Sequence, residues 1–113
     1  MSRKSLYLAS PYGFSDQCRL KLLPEFISKL ECMGARVLEP FHRNSDIDSS
    51  IPGWSNEVAF LNFRDLKNSD GLFAIVNGSP PDEGVMVELG VAIALGKPAF
   101  LFRDDFRKCT DSD

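Results

Sequence analysis

One carboxylate stands out because the segment around it is otherwise apolar. Glu88 is the only charged residue between Gly84 and Leu95, a stretch whose composition and length predict a helix. A helix that is apolar on all sides is normally buried, and a buried carboxylate without a partner is costly. No Lys or Arg lies three or four residues away from it. We therefore expect Glu88 to face a cavity. The alternative is a glutamate that pairs with a distant arginine or faces solvent.

Three further residues are candidates for the same chemistry, although each also has an ordinary structural role. Asp82 precedes the helix that carries Glu88, where an aspartate commonly caps the helix. Asp70 lies in the step Ser69-Asp70-Gly71, which is a common turn signal before a strand. Tyr7 lies in the first apolar run, where an aromatic side chain is often part of the core.

The predicted loops hold the residues that could contact a ligand. Aromatic side chains in such loops suit stacking on a flat ring. His42 is the only histidine, and a single loop histidine commonly has no special role. The predicted binding residues are Tyr12, Phe14, Phe41, His42, Asn77 and Gly78.

Strands and helices alternate along the chain, which predicts an α/β fold. Strands are expected at 6–9, 36–39, 71–76 and 98–102, and helices at 15–33, 55–68 and 84–95, with a kink or a later start at Pro24. Residues 41–54 are expected to be irregular and 103–113 to form a loose charged tail. The alternation predicts a Rossmann/flavodoxin-like parallel sheet in the order 2-1-3-4, with helices on both faces. The loops 10–15 and 77–84 then face each other across the switch point, where such sheets bind ligands.

Composition narrows the classes of function. The 113 residues fit one domain, and the 43% of hydrophobic residues suffice for a core. The net charge of −3 without a basic block argues against a nucleic-acid polymer as partner. Cys18, Cys32 and Cys109 lack the spacing of a metal site, and no phosphate-binding or dinucleotide-binding glycine motif is present. We expect no metal, no cofactor, no leader or membrane segment, and a cytoplasmic location.

Three segments together resemble the nucleoside 2-deoxyribosyltransferase family. They are Tyr7-Leu8-Ala9-Ser10-Pro11, Ser69-Asp70-Gly71 and Asp82-Glu83-Gly84-Val85-Met86-Val87-Glu88-Leu89-Gly90. The last is the most specific, with an Asp six residues before a Glu that Leu-Gly follows. The resemblance extends over nearly the whole chain.

The resemblance implies transfer of 2-deoxyribose between purine and pyrimidine bases, in nucleotide metabolism such as purine salvage. Glu88 would match the nucleophile that attacks C1′ and forms a covalent intermediate, and Tyr7 the tyrosine that orients it. Asp70 and Asp82 would match the acidic residues that hold the base and manage its proton. Deoxynucleosides and free bases would be the partners, and the protein would form a homo-oligomer, from dimer to hexamer.

The chain differs from the family in its length. Family members continue with a further strand and helix that help to complete a neighbouring subunit's site, so residues 1–113 are expected to form a single domain of this type without that C-terminal segment. Two other functions remain open. One is an N-glycosidase for deoxynucleosides or their 5′-monophosphates, with Ser10, Ser15 and Arg19 available to hold a phosphate. The other is a non-catalytic nucleotide-binding module.

Overall fold

The protein is built around one parallel β-sheet. The computed structural model describes residues 3–45 and 47–105. Its strands are β1 (Ser5–Ala9), β2 (Arg36–Leu38), β3 (Gly71–Ile75) and β4 (Ala99–Phe102), in the order β2-β1-β3-β4. All three strand pairings are parallel, and Tyr7 of β1 lies between Leu38 of β2 and Leu72 of β3. The predicted Rossmann/flavodoxin-like fold and strand order are confirmed.

Four α-helices connect the strands: α1 (Leu23–Cys32), α2 (Pro40–Arg43), α3 (Trp54–Asn68) and α4 (Glu83–Ala94). The helical segment begins at residues 16–17, passes through a π-helical turn, Cys18–Leu22, and continues as α1, with Pro24 in the first turn of α1. Proline is tolerated in a first turn because its missing N–H would have no helical partner there. The later start at Pro24 is not observed, because residues 16–22 are already helical.

Helix α2 lies in a segment that was expected to be irregular, and that expectation is wrong. The Glu39 side chain accepts hydrogen bonds from the backbone N–H groups of Phe41 and His42. Pro40 follows as the first helical residue, where its fixed φ favours a helix. A capping carboxylate and a proline thus form a single helical turn that apolar periodicity cannot reveal.

Helices pack on both faces of the sheet because strand residues alternate in direction. Leu8 and Ile75 pack against Leu23 and Leu30 of α1. On the opposite face lie α3 and α4, which contribute Leu66, Val85 and Ala92 to a core with Tyr7, Ala9, Leu72 and Ala74. A fully buried leucine contributes about 2 kcal/mol through removal of its surface from water. The alternation directs Tyr7 toward α3 and α4.

The residues after β4 do not form the expected loose tail where the structure describes them. Arg103 donates to the Gly78 carbonyl at 2.9 Å, and the Asp104 N–H donates to Asn77 Oδ1 at 3.0 Å. The Gly78 N–H donates to Asp105 Oδ2 at 2.5 Å. These bonds hold the turn after β3 against the end of β4. Residues 106–113, and with them Cys109, lie outside the described residues.

Two further findings concern membrane spans and thiols. No helix within residues 3–45 and 47–105 is long and apolar enough to cross a membrane. Cys18 and Cys32 are both free thiols.

Candidate active site

A cavity of about 820 Å³ opens at the carboxyl edge of the sheet. It lies between the loop after β1, helix α2, helix α3 and the first turns of α4, which is where the strand order predicted a ligand site. Its polar lining residues include Ser10, Arg19, Asn44, Asn62, Asp82 and Glu88, and its aromatic ones are Phe14, Phe41, Trp54 and Phe63.

Glu88 and Tyr7 meet at this cavity. The N-cap of α4 is Asp82, whose side chain accepts from the Val85 N–H at 3.1 Å. Glu88 follows in the second turn of α4 and lines the cavity. The Tyr7 side chain is fully buried beneath it, and its hydroxyl donates to Glu88 Oε2 at 2.5 Å. Tyr7 is therefore both a core residue and the hydrogen-bond donor that orients Glu88.

The surroundings of Glu88 adapt it for chemistry near neutral pH. Burial, aided by the charges of Asp82 and Glu39, raises the pKa of Glu88 to about 7, although the hydrogen bond from Tyr7 opposes the rise. Burial and the charge of Glu88 hold the pKa of Tyr7 well above its ordinary value, so Tyr7 remains a donor. Glu88 can thus be a carboxylate nucleophile or a protonated acid within the physiological pH range.

Two buried carboxylates near Tyr7 were not predicted from the sequence. Glu39 is 2% exposed and Asp65 is 6% exposed, and the charges of both raise the pKa of Tyr7. The Asp65 carboxylate accepts hydrogen bonds from Arg43 Nε and from a terminal guanidinium nitrogen of Arg43, the latter at 3.1 Å. A usable signal existed for Asp65, because it lies seven residues after Val58 and four after Leu61, on the apolar side of α3.

Phe14 and Phe41, two of the predicted binding residues, form one wall of the cavity. Their ring centroids lie 5.3 Å apart at an interplanar angle of 82°, which is an edge-to-face contact. Gly13 permits this arrangement, because a Cβ at that position would lie only 2.2 Å from the Phe41 ring. The two aromatic residues offer a surface suited to a flat base. Trp54 and Phe63 of α3 add aromatic surface that the sequence reasoning missed.

Tyr12, Asn77 and Gly78 do not line the cavity, which corrects their predicted role in binding. Tyr12 packs against Phe26 at a centroid distance of 5.9 Å, and its hydroxyl accepts from Asn77 Nδ2 at 3.0 Å. Asn77 and Gly78 are bonded to the residues after β4. Their loop positions suggested a ligand, whereas their polar groups are engaged within the fold.

His42 also lies outside the cavity lining. Its Nδ1 is 2.6 Å from Glu39 Oε1, while the neighbouring Phe41 and Asn44 face the cavity. Through its contact with Glu39, His42 helps to hold the turn that carries Phe41 in the cavity wall.

Asp70 lies at the amino edge of the sheet, opposite the edge that holds Glu88. Its Oδ2 accepts from the Ser5 N–H at 2.8 Å and the Ser5 hydroxyl at 3.2 Å. These bonds, the backbone one first, hold the pKa of Asp70 below its ordinary value. The expectation that Asp70 holds the base is therefore wrong, since Asp70 precedes β3 and the cavity lies beyond the other end of that strand.

Solved structures of other proteins share this fold. The 2-deoxyribosyltransferase of Bacillus psychrosaccharolyticus is 27% identical with a TM-score of 0.78, over 94% of this chain and 77% of its own. The 2-desoxiribosyltransferase of Leishmania mexicana is 24% identical with a TM-score of 0.73, over 92% and 67%. The CMP N-glycosidase BcmB of Clostridium botulinum is 23% identical with a TM-score of 0.63, over 95% and 74%. At these identities the last two show the fold alone.

A sequence comparison identifies the family. No curated protein matches the chain. The family model for nucleoside 2-deoxyribosyltransferase matches residues 6–113, which include Tyr7, Asp82 and Glu88. The chain belongs to the nucleoside 2-deoxyribosyltransferase family.

Proposed function

We propose that this protein transfers 2-deoxyribose from a deoxynucleoside to a second base through a covalent ester on Glu88. The observation that carries the proposal is the Tyr7–Glu88 hydrogen bond of 2.5 Å at the cavity. A partly buried carboxylate with a raised pKa and a fixed donor has the features of an activated nucleophile rather than of a structural ion pair. The enzyme class that the family supports is the deoxyribosyltransferase and N-glycosidase group.

The first displacement forms one bond and breaks one. A Glu88 carboxylate oxygen attacks C1′, the C1′–N bond breaks, and its electron pair leaves with the base nitrogen. The base leaves more readily when it is protonated, and in this proposal Asp82, which lines the same cavity as Glu88, delivers that proton. Tyr7 holds the attacking carboxylate in position through its hydroxyl.

The second displacement restores the enzyme. A nitrogen of the incoming base attacks C1′, the C1′–O bond to Glu88 breaks, and the carboxylate is released. Asp82 takes up the proton that the incoming base loses. Two inversions at C1′ leave the β configuration unchanged, as in retaining glycosidases. Phe14 and Phe41, which line the cavity, would stack on the base during both steps.

The test is incubation with deoxyinosine and a different free base. A new deoxynucleoside, whose formation requires the added base, is the expected product. A 2′-fluoro-2′-deoxynucleoside should slow breakdown of the ester, so that intact-mass measurement shows a sugar adduct that maps to Glu88. No exchange product with any base, or an adduct on another residue, would contradict the proposal.

A second candidate is hydrolysis of the N-glycosidic bond in deoxynucleoside 5′-monophosphates. Arg19 and Ser10 line the same cavity as Glu88, and Arg19 could pair with a phosphate because its partner Asp16 is exposed on the surface. A structural neighbour is described as a CMP N-glycosidase. Free base and 2-deoxyribose 5-phosphate, released without an acceptor base, would identify this activity. Arg19→Ala should then raise KM for the nucleotide and leave KM for the nucleoside unchanged. If neither the exchanged deoxynucleoside nor the hydrolysis products form, the remaining alternative is a non-catalytic nucleotide-binding module.

We also propose that the protein is a homo-oligomer in the cytoplasm. Large apolar side chains are exposed on α3, on α4 and on β4: Phe60 at 67%, Val87 at 66% and Phe100 at 55%. Exposed apolar surface of this kind commonly marks an interface. Light scattering at micromolar concentration should give at least a dimer, and a monomer would contradict the proposal.

A further inference from the structure

Glu39 is a buried carboxylate that the proposed reaction does not use directly. It follows β2 at the carboxyl edge of the sheet and is 2% exposed. Its Oε2 accepts from the Phe41 N–H at 2.9 Å and its Oε1 from the His42 N–H at 2.8 Å. Oε1 also lies 2.6 Å from His42 Nδ1. These contacts offset the cost of burying the carboxylate and fix the amino end of α2.

The other end of the same turn is fixed on α3. Arg43 binds Asp65 through two nitrogens, and Asn44 Nδ2 donates to Asn62 Oδ1 at 2.6 Å. Residues 40–44, called the α2 bracket below, are thus held at both ends. Phe41, between the two attachments, lines the cavity. A shift of the Glu39 end would move that aromatic wall.

The charge of Glu39 also reaches the reactive pair. It contributes to raising the pKa of Glu88 and of Tyr7, after burial in both cases. Besides Tyr7 and Glu88 themselves, the titratable or charged groups near this pair are Glu39 after β2, Asp65 of α3 with its partner Arg43, and Asp82 at the start of α4. Arg19 lines the same cavity as Glu88. His42 contacts Glu39 and is half exposed.

We infer that Glu39 is a positioning residue of the proposed transfer, which holds the α2 bracket against the cavity and places a negative charge beside Glu88. Glu39 does not line the cavity and would act through Phe41 and Glu88. The inference rests on the proposed function for its role in catalysis. Two variants test its two physical parts: Glu39→Gln removes the charge together with one acceptor, whereas Glu39→Asp keeps the charge and changes only the anchoring.

Glu39→Gln tests the charge. The substitution keeps the shape and one acceptor oxygen but removes the negative charge, so Glu88 should ionise at lower pH than in the wild type. Carboxyl ¹³C NMR titration of Glu88 measures this without any turnover. The matched control is Glu31→Gln, which removes the same charge from an exposed position on α1 and should leave the Glu88 midpoint unchanged. An unchanged midpoint in Glu39→Gln would overturn the inference.

Glu39→Asp tests the anchoring and remains informative if the Gln variant does not fold. The charge is kept, but the carboxylate is withdrawn by one methylene group from the N–H groups of α2. The Glu88 midpoint should stay close to the wild-type value. KM for the nucleoside should rise about 2- to 10-fold with a smaller change in kcat, because the Phe41 surface is displaced. A wild-type KM would overturn the inference. If the wild type itself exchanges no bases, the proposed function fails, while the titration still decides the effect of Glu39 on Glu88.

Discussion

Two acidic residues at opposite edges of one sheet show how differently the same functional group can be used. Asp70 lies at the amino edge, exposed, with two hydrogen bonds from Ser5 that lower its pKa. Glu88 lies at the carboxyl edge, where burial raises its pKa to about 7. Both belong to segments that resemble the family, yet only Glu88 lines the cavity.

The difference follows from what surrounds each carboxylate. The charge of Asp70 is stabilised by donors within the fold, so Asp70 joins β3 to β1 and has little tendency to react. Glu88 has one donor, Tyr7, and two acidic neighbours that disfavour its charge, Asp82 and Glu39. Formation of a neutral ester removes this disfavoured negative charge. Carboxylates with pKa values perturbed in this way cluster at active sites. Asp70, which lies away from the cavity, is therefore the control against which substitutions around Glu88 are compared.

The largest effect is expected for Glu88→Gln. The amide keeps the shape of the side chain but cannot form the ester with C1′, so base exchange should fall roughly 10⁴-fold or more. Initial rates of deoxyinosine exchange measure this, and circular dichroism checks the fold. Asp70→Asn, made in parallel, should exchange at nearly the wild-type rate. The contrast would be lost if the Gln variant turned over normally, or if Asp70→Asn were equally inactive.

A smaller loss is expected for Asp82→Asn. Asparagine is also a good N-cap, so the start of α4 should be preserved. The side chain can no longer transfer a proton to the base, which should slow exchange by about 10²–10⁴-fold. Glu83→Gln, which changes the adjacent exposed carboxylate, is the matched control. Unchanged turnover of Asp82→Asn across the pH range would mean that Asp82 acts only as a cap.

Tyr7→Phe should change the pH dependence more than the fold. Exchange requires ionised Glu88, so the rate of the wild type should rise with pH through about 7. The hydrogen bond from Tyr7 lowers the pKa of Glu88. Its removal should therefore shift the acid limb of kcat/KM to higher pH, opposite to the shift expected for Glu39→Gln. A Tyr7→Phe profile with the wild-type midpoint would contradict the assigned role of this hydrogen bond.

The sequence predicted the fold because the signals were strong and local. Continuous apolar runs marked the strands, and the alternation with helices left parallel pairing as the consistent arrangement. Glu88 was found because a single charge in an apolar helix is energetically conspicuous. Phe14 and Phe41 were placed near the ligand because the loops after the strands end at the carboxyl edge of the sheet.

The remaining features depended on contacts between residues distant in sequence. Asp65 had a local signal, its position on the apolar side of α3, but its pairing with Arg43 of α2 is seen only in the structure. Asp70 was assigned to the site because the family motif includes it, whereas its position in a turn before a strand, the structural alternative, puts it at the amino edge. Helix α2 was missed because one capping side chain, not a repeating pattern, forms it.

The smallest expected effect concerns stability, and it should have opposite signs at the two edges. A lowered pKa means that Asp70 stabilises the fold above its ordinary value of 3.8, and that this contribution is lost as the pH falls through the lower folded value. Asp70→Asn should therefore be slightly less stable than the wild type at neutral pH and equally stable in strong acid. Glu88 has a raised pKa, so its contribution is present below the ordinary value of 4.5 and lost as the pH rises through about 7. As the pH rises from 4.5 through about 7, the free energy of unfolding of Glu88→Gln should therefore increase relative to that of the wild type, by about 3 kcal/mol at most. Urea unfolding at several pH values measures the stability of both variants relative to the wild type. A change of the same sign in Asp70→Asn and Glu88→Gln at neutral pH would contradict the opposite pKa shifts of the two carboxylates.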